Sequence, residues 1–272
     1  MTKLLELKNV SKHYVHKDGW LPGRKVCALE PLTLTLERGE TLAIMGETGS
    51  GKSTIAKLIA GAEKPSTGEI YLNGQLLDPR NYRQRSRHIR MIFQDSLRSL
   101  NPQTTIGRQL SEALLFNTTL TSDEQREHVM TTLRKVGLLP DHYHFYPHML
   151  SSGQQQRVCI ARAIIVDPQI IVADEAFVSL DPSIRAQIIN LILDLQEDMS
   201  ISFIFVSHSA EIVKHVADKI LILHHGRLIE FGSTQTLMLH PKEQLTRLLL
   251  QTDLQSNVTV VTSAPTHSTT QE

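Results

Sequence analysis

Between an apolar run, TLAIMG, and a helical one, KSTIAKLIA, the chain carries the nine residues GETGSGKST, Gly46 to Thr54. The pattern G-x-x-x-x-G-K-[ST] in a strand–loop–helix setting is the chemistry of a phosphate cradle. Glycines let backbone N–H groups curl round a phosphate without Cβ clashes. Lys52 would set its ammonium against the β- and γ-phosphates of a nucleoside triphosphate, and the Ser53 hydroxyl would ligate Mg²⁺. The expected cradle is therefore Gly46, Glu47, Thr48, Gly49, Ser50, Gly51, Lys52, Ser53 and Thr54.

Hydrolysis needs a second anchor for the cation and a group to act on water. QIIVADEA supplies two acids at the end of an apolar strand. Asp174 would hold Mg²⁺ through a water, and Glu175 would act as general base. Acids ending a fully apolar strand are costly to bury without a cation nearby. A second stretch, MLSSGQQQRVCIARA from Met149 to Ala163, reads as a helix opened by serines and a glycine. A helix start with free N–H groups attracts phosphate, yet this one lies far along the chain from the first loop.

These groups need a frame. In LTLTLERGE, Leu32, Leu34 and Leu36 alternate with polar residues and the run ends in an Arg38-Gly39 turn, the pattern of a half-buried strand. STGEIYLNGQLL is a second strand with an Asn73-Gly74 hairpin signal. The helix after the phosphate loop is expected to stop at Pro65. SDEQREHVMTTLRKVGLL reads as a helix capped by Ser122, with Gly137 near its end, inside a helical block from about 95 to 165. QIIVAD, SFIFVSH and KILILHHG then follow as apolar strands, with the helix SIRAQIINLILDLQED between the first two. Alternating strands and helices imply an α/β fold with a parallel sheet covered on both faces. Residues 1–250 would form the folded domain. Residues 251–272, rich in Ser and Thr, read as a disordered tail.

Lys plus Arg and Asp plus Glu number 28 each in 272 residues, so no general nucleic-acid surface is advertised. The densest basic stretch, RNYRQRSRHIR from Arg80 to Arg90, reads as a solvated surface segment. Two cysteines, Cys27 and Cys159, match no metal spacing and fit a reducing compartment. The thirteen histidines show no metal-ligand pattern. No run of about 18 apolar residues is present to span a bilayer.

In this order the motifs resemble the nucleotide-binding subunit of an ABC (ATP-binding cassette) transporter. The likeness runs from about Leu5 to Leu250. It implies a P-loop NTPase cassette with a RecA-like core, an antiparallel β subdomain and a helical subdomain. By the same likeness GETGSGKST is the Walker A loop and IIVADE the Walker B strand. Gln94, in IFQD, becomes the Q-loop glutamine touching Mg²⁺ and the attacking water. His208, in FVSHS, becomes the switch histidine at the γ-phosphate, and Ser179-Leu180-Asp181 the D-loop. Tyr14, in SKHYV, matches the aromatic that stacks on adenine.

Met149 to Ala163 would then be the signature helix, with Ser151 and Gly153 gripping the γ-phosphate of ATP held by a second ATPase subunit. Members of the family usually place glycine where this chain has Ser152. At a helix start serine is tolerated; a close approach to ATP would be crowded by it. GRKVCAL, SLNP and YPHMLSSGQQQR are similar to ATPases of bacterial dipeptide and oligopeptide importers, and two further segments to a subunit of antimicrobial-peptide uptake systems. The implied partners are membrane-spanning permease subunits, a second ATPase subunit and, indirectly, a periplasmic solute-binding protein, with no nucleic acid. The implied place is the cytoplasmic face of the bacterial inner membrane. Two alternatives stand beside a transport motor: a regulatory ATP-binding subunit of low turnover, and a non-transport ATPase. Lys52 and Ser151 are too close in sequence to enclose the long coiled coil of chromosome-type members.

Overall fold

A computed structural model describes residues 3–16, 24–94, 96–178 and 180–256. In chain order its strands and helices are β1 (Lys3–His16), β2 (Arg24–Glu37), β3 (Thr41–Gly46), α1 (Lys52–Ala60), β4 (Thr67–Leu72), β5 (Gln75–Leu76), α2 (Tyr82–His88) and β6 (Ile89–Ile92). The helical block follows as α3 (Ile106–Asn117), α4 (Ser122–Lys135) and α5 (Ser152–Ile164). The chain then continues through β7 (Ile170–Asp174), α6 (Pro182–Met199), β8 (Ser202–Val206), α7 (Ala210–Val216), β9 (Lys219–His224), β10 (Arg227–Ser233), α8 (Thr234–Leu239) and α9 (Gln244–Ser256).

One sheet is antiparallel, in the order β2-β1-β4-β5; the other runs β10-β9-β3-β8-β7-β6. In the second sheet β9, β3, β8, β7 and β6 are parallel, and β10 adds an antiparallel edge. Strand periodicity decides what each face meets. Leu42, Ile44, Ile170, Val172, Ile204, Val206, Leu221 and Leu223 turn one way, onto Ile55, Leu58 and Ile59 of α1 and the leucines of the antiparallel sheet. The alternate residues turn the other way: Ile171, Ala173, Phe203 and Phe205 onto the helical block and α6, and Ala43, Met45, Ile220 and Ile222 onto α7, α8 and α9. Helix α1 therefore lies between two sheets, both its flanks apolar, and the loop that opens it is fixed from both sides. Both faces of the parallel strands are covered, as their unbroken apolar runs require.

Several expected boundaries move. Helix α1 ends at Ala60 because Gly61 takes a left-handed conformation, φ 81°, four residues before Pro65. Helix α4 is capped by Thr121 rather than Ser122: Thr121 and Glu124 form a reciprocal capping box. Helix α9 runs on to Ser256, six residues beyond the boundary expected from composition, and residues 257–272 lie outside the described residues.

The basic stretch is not uniformly solvated either. Arg85 is buried, its guanidinium donating to the carbonyls of Leu58 and Ile59 at the end of α1. Burial brings its pKa down to about 10, so it stays charged at neutral pH. Arg85 thus closes the C-terminal turn of the helix whose N-terminus opens at the phosphate loop. Arg85→Met keeps the apolar stem but leaves those carbonyls without their donor. It should lower unfolding free energy by about 1.5–3 kcal/mol in a urea titration, and an unchanged midpoint would refute the capping role.

Candidate functional site

The parallel strands end at one edge, where ligands of open α/β sheets gather. β3 ends at Gly46, aligned with Leu223 of β9. β7 ends at Asp174, aligned with Val206 of β8, which His208 follows two residues on. Ile92 of β6 aligns with Ala173, which brings Gln94 to the same edge, exposed.

Gly46 has φ 151°, and a Cβ there would overlap the Leu223 carbonyl oxygen and come within 2.6 Å of Ser50 Oγ. Gly51 has φ 103° and its Cβ would lie 2.6 Å from the Ala28 carbonyl oxygen. Only glycine fits either position. Gly51 also stands at the N-cap of α1 in the left-handed conformation with no side-chain cap, and no acid occupies the first turn. The opening N–H groups of α1 are left to an anion.

Lys52 is buried and folds back over the loop, its Nζ donating to the carbonyl oxygens of Gly46 and Glu47 at 2.8 Å each. Burial pushes its pKa down, against Glu175 and Asp174, which pull it up. Ser53 Oγ donates to Asp174 Oδ1 at 2.9 Å, joining loop to strand end. Burial raises the Asp174 pKa; the Ser53 hydrogen bond opposes this, Glu175 adds to it, and Lys57 and Lys52 oppose it. A hydroxyl and one carboxylate, both hard oxygen donors, beside a phosphate-ready loop fit Mg²⁺, which takes few protein ligands and fills its shell with water and phosphate.

Glu175 sits at φ 49°, a left-handed conformation uncommon for a side chain of its size, and its N–H donates to the Val206 carbonyl at 3.1 Å. Its Oε1 lies 3.8 Å from His208 Nδ1. The structure thus brings together Gly46–Thr54, Asp174, Glu175 and His208.

Gln94, Tyr14, Ser151 and Gly153, each expected at a site, have no hydrogen bond or ion pair to this cluster among the described residues. Tyr14 is on β1 opposite Val26, with Lys12 Nζ 5.0 Å from its ring centroid; β2 continues from Val26 to Ala28, the residue packed on Gly51. Ser151 is the N-cap of α5: its hydroxyl accepts from Gln154 N–H at 3.3 Å, and its own N–H donates to Gln154 Oε1 at 2.9 Å. Sequence reading missed Gln154, although serine followed three residues later by glutamine is the capping-box signal. Ser152 is the first helical residue and exposed, so its side chain crowds nothing within the chain. Gly153 packs near α6, where a Cβ would meet Ile184 Cγ2 at 3.3 Å. Ser179 lies outside the described residues.

Residues 29–178 match the ABC transporter family. The chain is 47% identical over 247 residues to the putrescine export system ATP-binding protein SapF of Escherichia coli (strain K12), spanning 91% of this chain and 92% of the relative. Identity and coverage are the same for the peptide transport system ATP-binding protein SapF of Salmonella typhimurium. Among solved structures, the dimeric post-hydrolysis state of the ATP-binding cassette MJ0796, bound to ADP and Pi, superposes with a TM-score of 0.73 at 30% identity, covering 85% of this chain and 99% of that one.

Proposed function

Because the chain belongs to the ABC transporter family, as one of its ATP-binding subunits with ATPase activity, we propose that it is the motor of a bacterial peptide importer, driven by ATP-dependent head-to-tail pairing. The observation that carries the motor reading is the Ser53–Asp174 hydrogen bond beside an uncapped α1, with Glu175 and His208 held next to it. The Walker A loop, Gly46 to Thr54, would bind the triphosphate, and Ser53, Asp174 and Gln94 would hold Mg²⁺, which when bound screens phosphate charge. Glu175 would take a proton from the attacking water, and His208, 3.8 Å from it, would steady the γ-phosphate side. Tyr14 would stack on adenine.

Head-to-tail pairing rests on α5. Its capping box leaves the N–H groups of Ser152 and Gly153 free of intrahelical partners, as at any helix start, and Ser152 is exposed. A second copy, or a different ATPase subunit, would set its own bound ATP there.

A cleft of about 400 Å³ beside Gln94 is lined by Tyr82, Met91, Phe93, Cys159, Arg90 and Arg162, with Phe93 half exposed. Burial and the neighbouring Arg162 charge both lower the Arg90 pKa. We assign this cleft to a permease segment, so that Gln94 would link ATP occupancy to transport. Among the described residues no helix is long and apolar enough to cross a membrane, which fits a subunit held at the cytoplasmic face by such contacts. The peptide cargo, and with it a role in antimicrobial-peptide resistance, is read from the name of the Salmonella relative. Import is read from the importer-like segments, whereas the E. coli relative is named for putrescine export.

Elution size with ATP and Mg²⁺ tests the pairing. The Glu175→Gln variant, which should hold ATP without hydrolysing it, is expected to shift from monomer to dimer. A variant that binds ATP and stays monomeric in the presence of its co-expressed partner ATPase would overturn head-to-tail closure through Ser152.

A further inference from the structure

The phosphate loop is braced by a segment that no sequence motif marks, the turn between β9 and β10. Gly226 N–H donates to the Ser50 carbonyl at 2.9 Å, and Glu30 N–H donates to the Gly226 carbonyl at 2.8 Å. Arg227 pairs with Glu30 at 2.8 Å, tying the same turn to β2. At the end of β9, His224 places its ring beside the second residue of the loop. Its Nδ1 lies 3.4 Å from Glu47 Oε2. That nitrogen is buried and has no hydrogen-bond partner among the described residues. The ring of His225 stands edge-on to that of His224, centroids 4.2 Å apart.

Glu47 is out of place in electrostatic terms. It contributes a carboxylate to a loop whose backbone must receive a triphosphate, and its own carbonyl already accepts from Lys52. A carboxylate free to swing over the loop would repel the incoming phosphates within a Debye length of about 8 Å. The group placed against it on the far side of the loop is His224 Nδ1.

We propose that His224 is a positioning residue: it holds the Glu47 carboxylate at the β9 side of the loop, out of the phosphate path, and so sets ATP affinity rather than the rate of the chemical step. The imidazole acts through Glu47 and takes no part in the chemical step. The proposal rests on the reading of Gly46 to Thr54 as the ATP site.

The test compares wild type, His224→Gln, Glu47→Gln and the double variant, by calorimetric Kd for Mg–ATP and by kcat and KM for ATP. His224→Gln is expected to raise Kd and KM roughly two- to fivefold, the range of a single weak polar contact near the surface, with kcat little altered. Whatever Kd and KM Glu47→Gln shows by itself, adding His224→Gln to it should raise neither further, because the repelling charge is gone. An unchanged KM in His224→Gln, or a double variant whose KM exceeds that of Glu47→Gln by the same factor, overturns the proposal; the second outcome would leave His224 a prop for the hairpin. A wild-type chain that binds no ATP would instead sink the site reading itself.

Discussion

ATP turnover by the Glu175→Gln variant is expected to fall by about 10²–10⁴-fold while ATP binding survives, the usual effect of removing a positioned general base, the role proposed above for Glu175. Geometry separates the two adjacent acids. Asp174 is buried at the end of β7 and is engaged by Ser53 Oγ at 2.9 Å, which ties it to the loop and fits its proposed part in holding the cation. Glu175 is turned out of the strand by a left-handed backbone, φ 49°, pinned through its N–H to Val206. Such a conformation costs about 1–3 kcal/mol and persists where surrounding structure over-determines it, often at functional sites. Here it brings the carboxylate to within 3.8 Å of His208 Nδ1. Gln keeps the shape and the hydrogen-bonding capacity of Glu but cannot take a proton. Single-turnover assays with Mg–ATP decide the matter: a variant that hydrolyses as fast as wild type removes Glu175 from the chemistry and leaves it an orienting residue for His208.

The site was legible wherever chemistry is written in contiguous residues. Gly46 to Thr54 and the pair Asp174–Glu175 stand in unbroken stretches, and the apolar runs TLAIMG and IIVAD fall on β3 and β7 because burial on both faces leaves no polar interruptions. Less legible were features decided by a neighbour distant in sequence. Arg85 reads as one more surface cation in RNYRQRSRHIR until the carbonyl end of α1 is seen to need a donor. His224 is one of thirteen histidines until β9 pairs with β3 and delivers it to Glu47. Helix ends shifted for a local reason: Gly61 in the left-handed conformation ends α1 before Pro65 can, and Thr121 outcompetes Ser122 because Glu124 stands three residues after it. Composition misjudged 251–256, where QTDLQS carries no apolar signal of its own beyond Leu254 but extends a helix already anchored by the buried Thr246 and Leu250.

Asp174→Asn should move stability in opposite directions with and without nucleotide. Burial raises the Asp174 pKa in the fold above its unfolded value, so the folded chain binds this proton more tightly than the unfolded one. The stabilisation from that proton is full at acid pH and is lost as pH rises through the folded-state pKa. At neutral pH the ionised Asp174 is therefore a burden on the fold, eased only in part by Ser53 and the lysines. Asparagine removes the charge and still accepts from Ser53 Oγ. Without nucleotide the variant should be more stable than wild type at pH 7 by about 0.5–2 kcal/mol, the common range of a single stabilising substitution. That advantage should shrink as pH falls through the carboxylate range, because wild-type Asp174 then protonates and the two chains become alike. With Mg–ATP the order should reverse. A ligand at a hundred times its Kd adds about 2.7 kcal/mol to wild type, and a chain without the carboxylate proposed to anchor Mg²⁺ should gain far less. Chemical denaturation at pH 4.5 and 7, each with and without Mg–ATP, reads all four states. A variant that is less stable than wild type at pH 7 without nucleotide would show that the buried carboxylate is held for the fold, and one stabilised equally by Mg–ATP would show that the cation is anchored elsewhere.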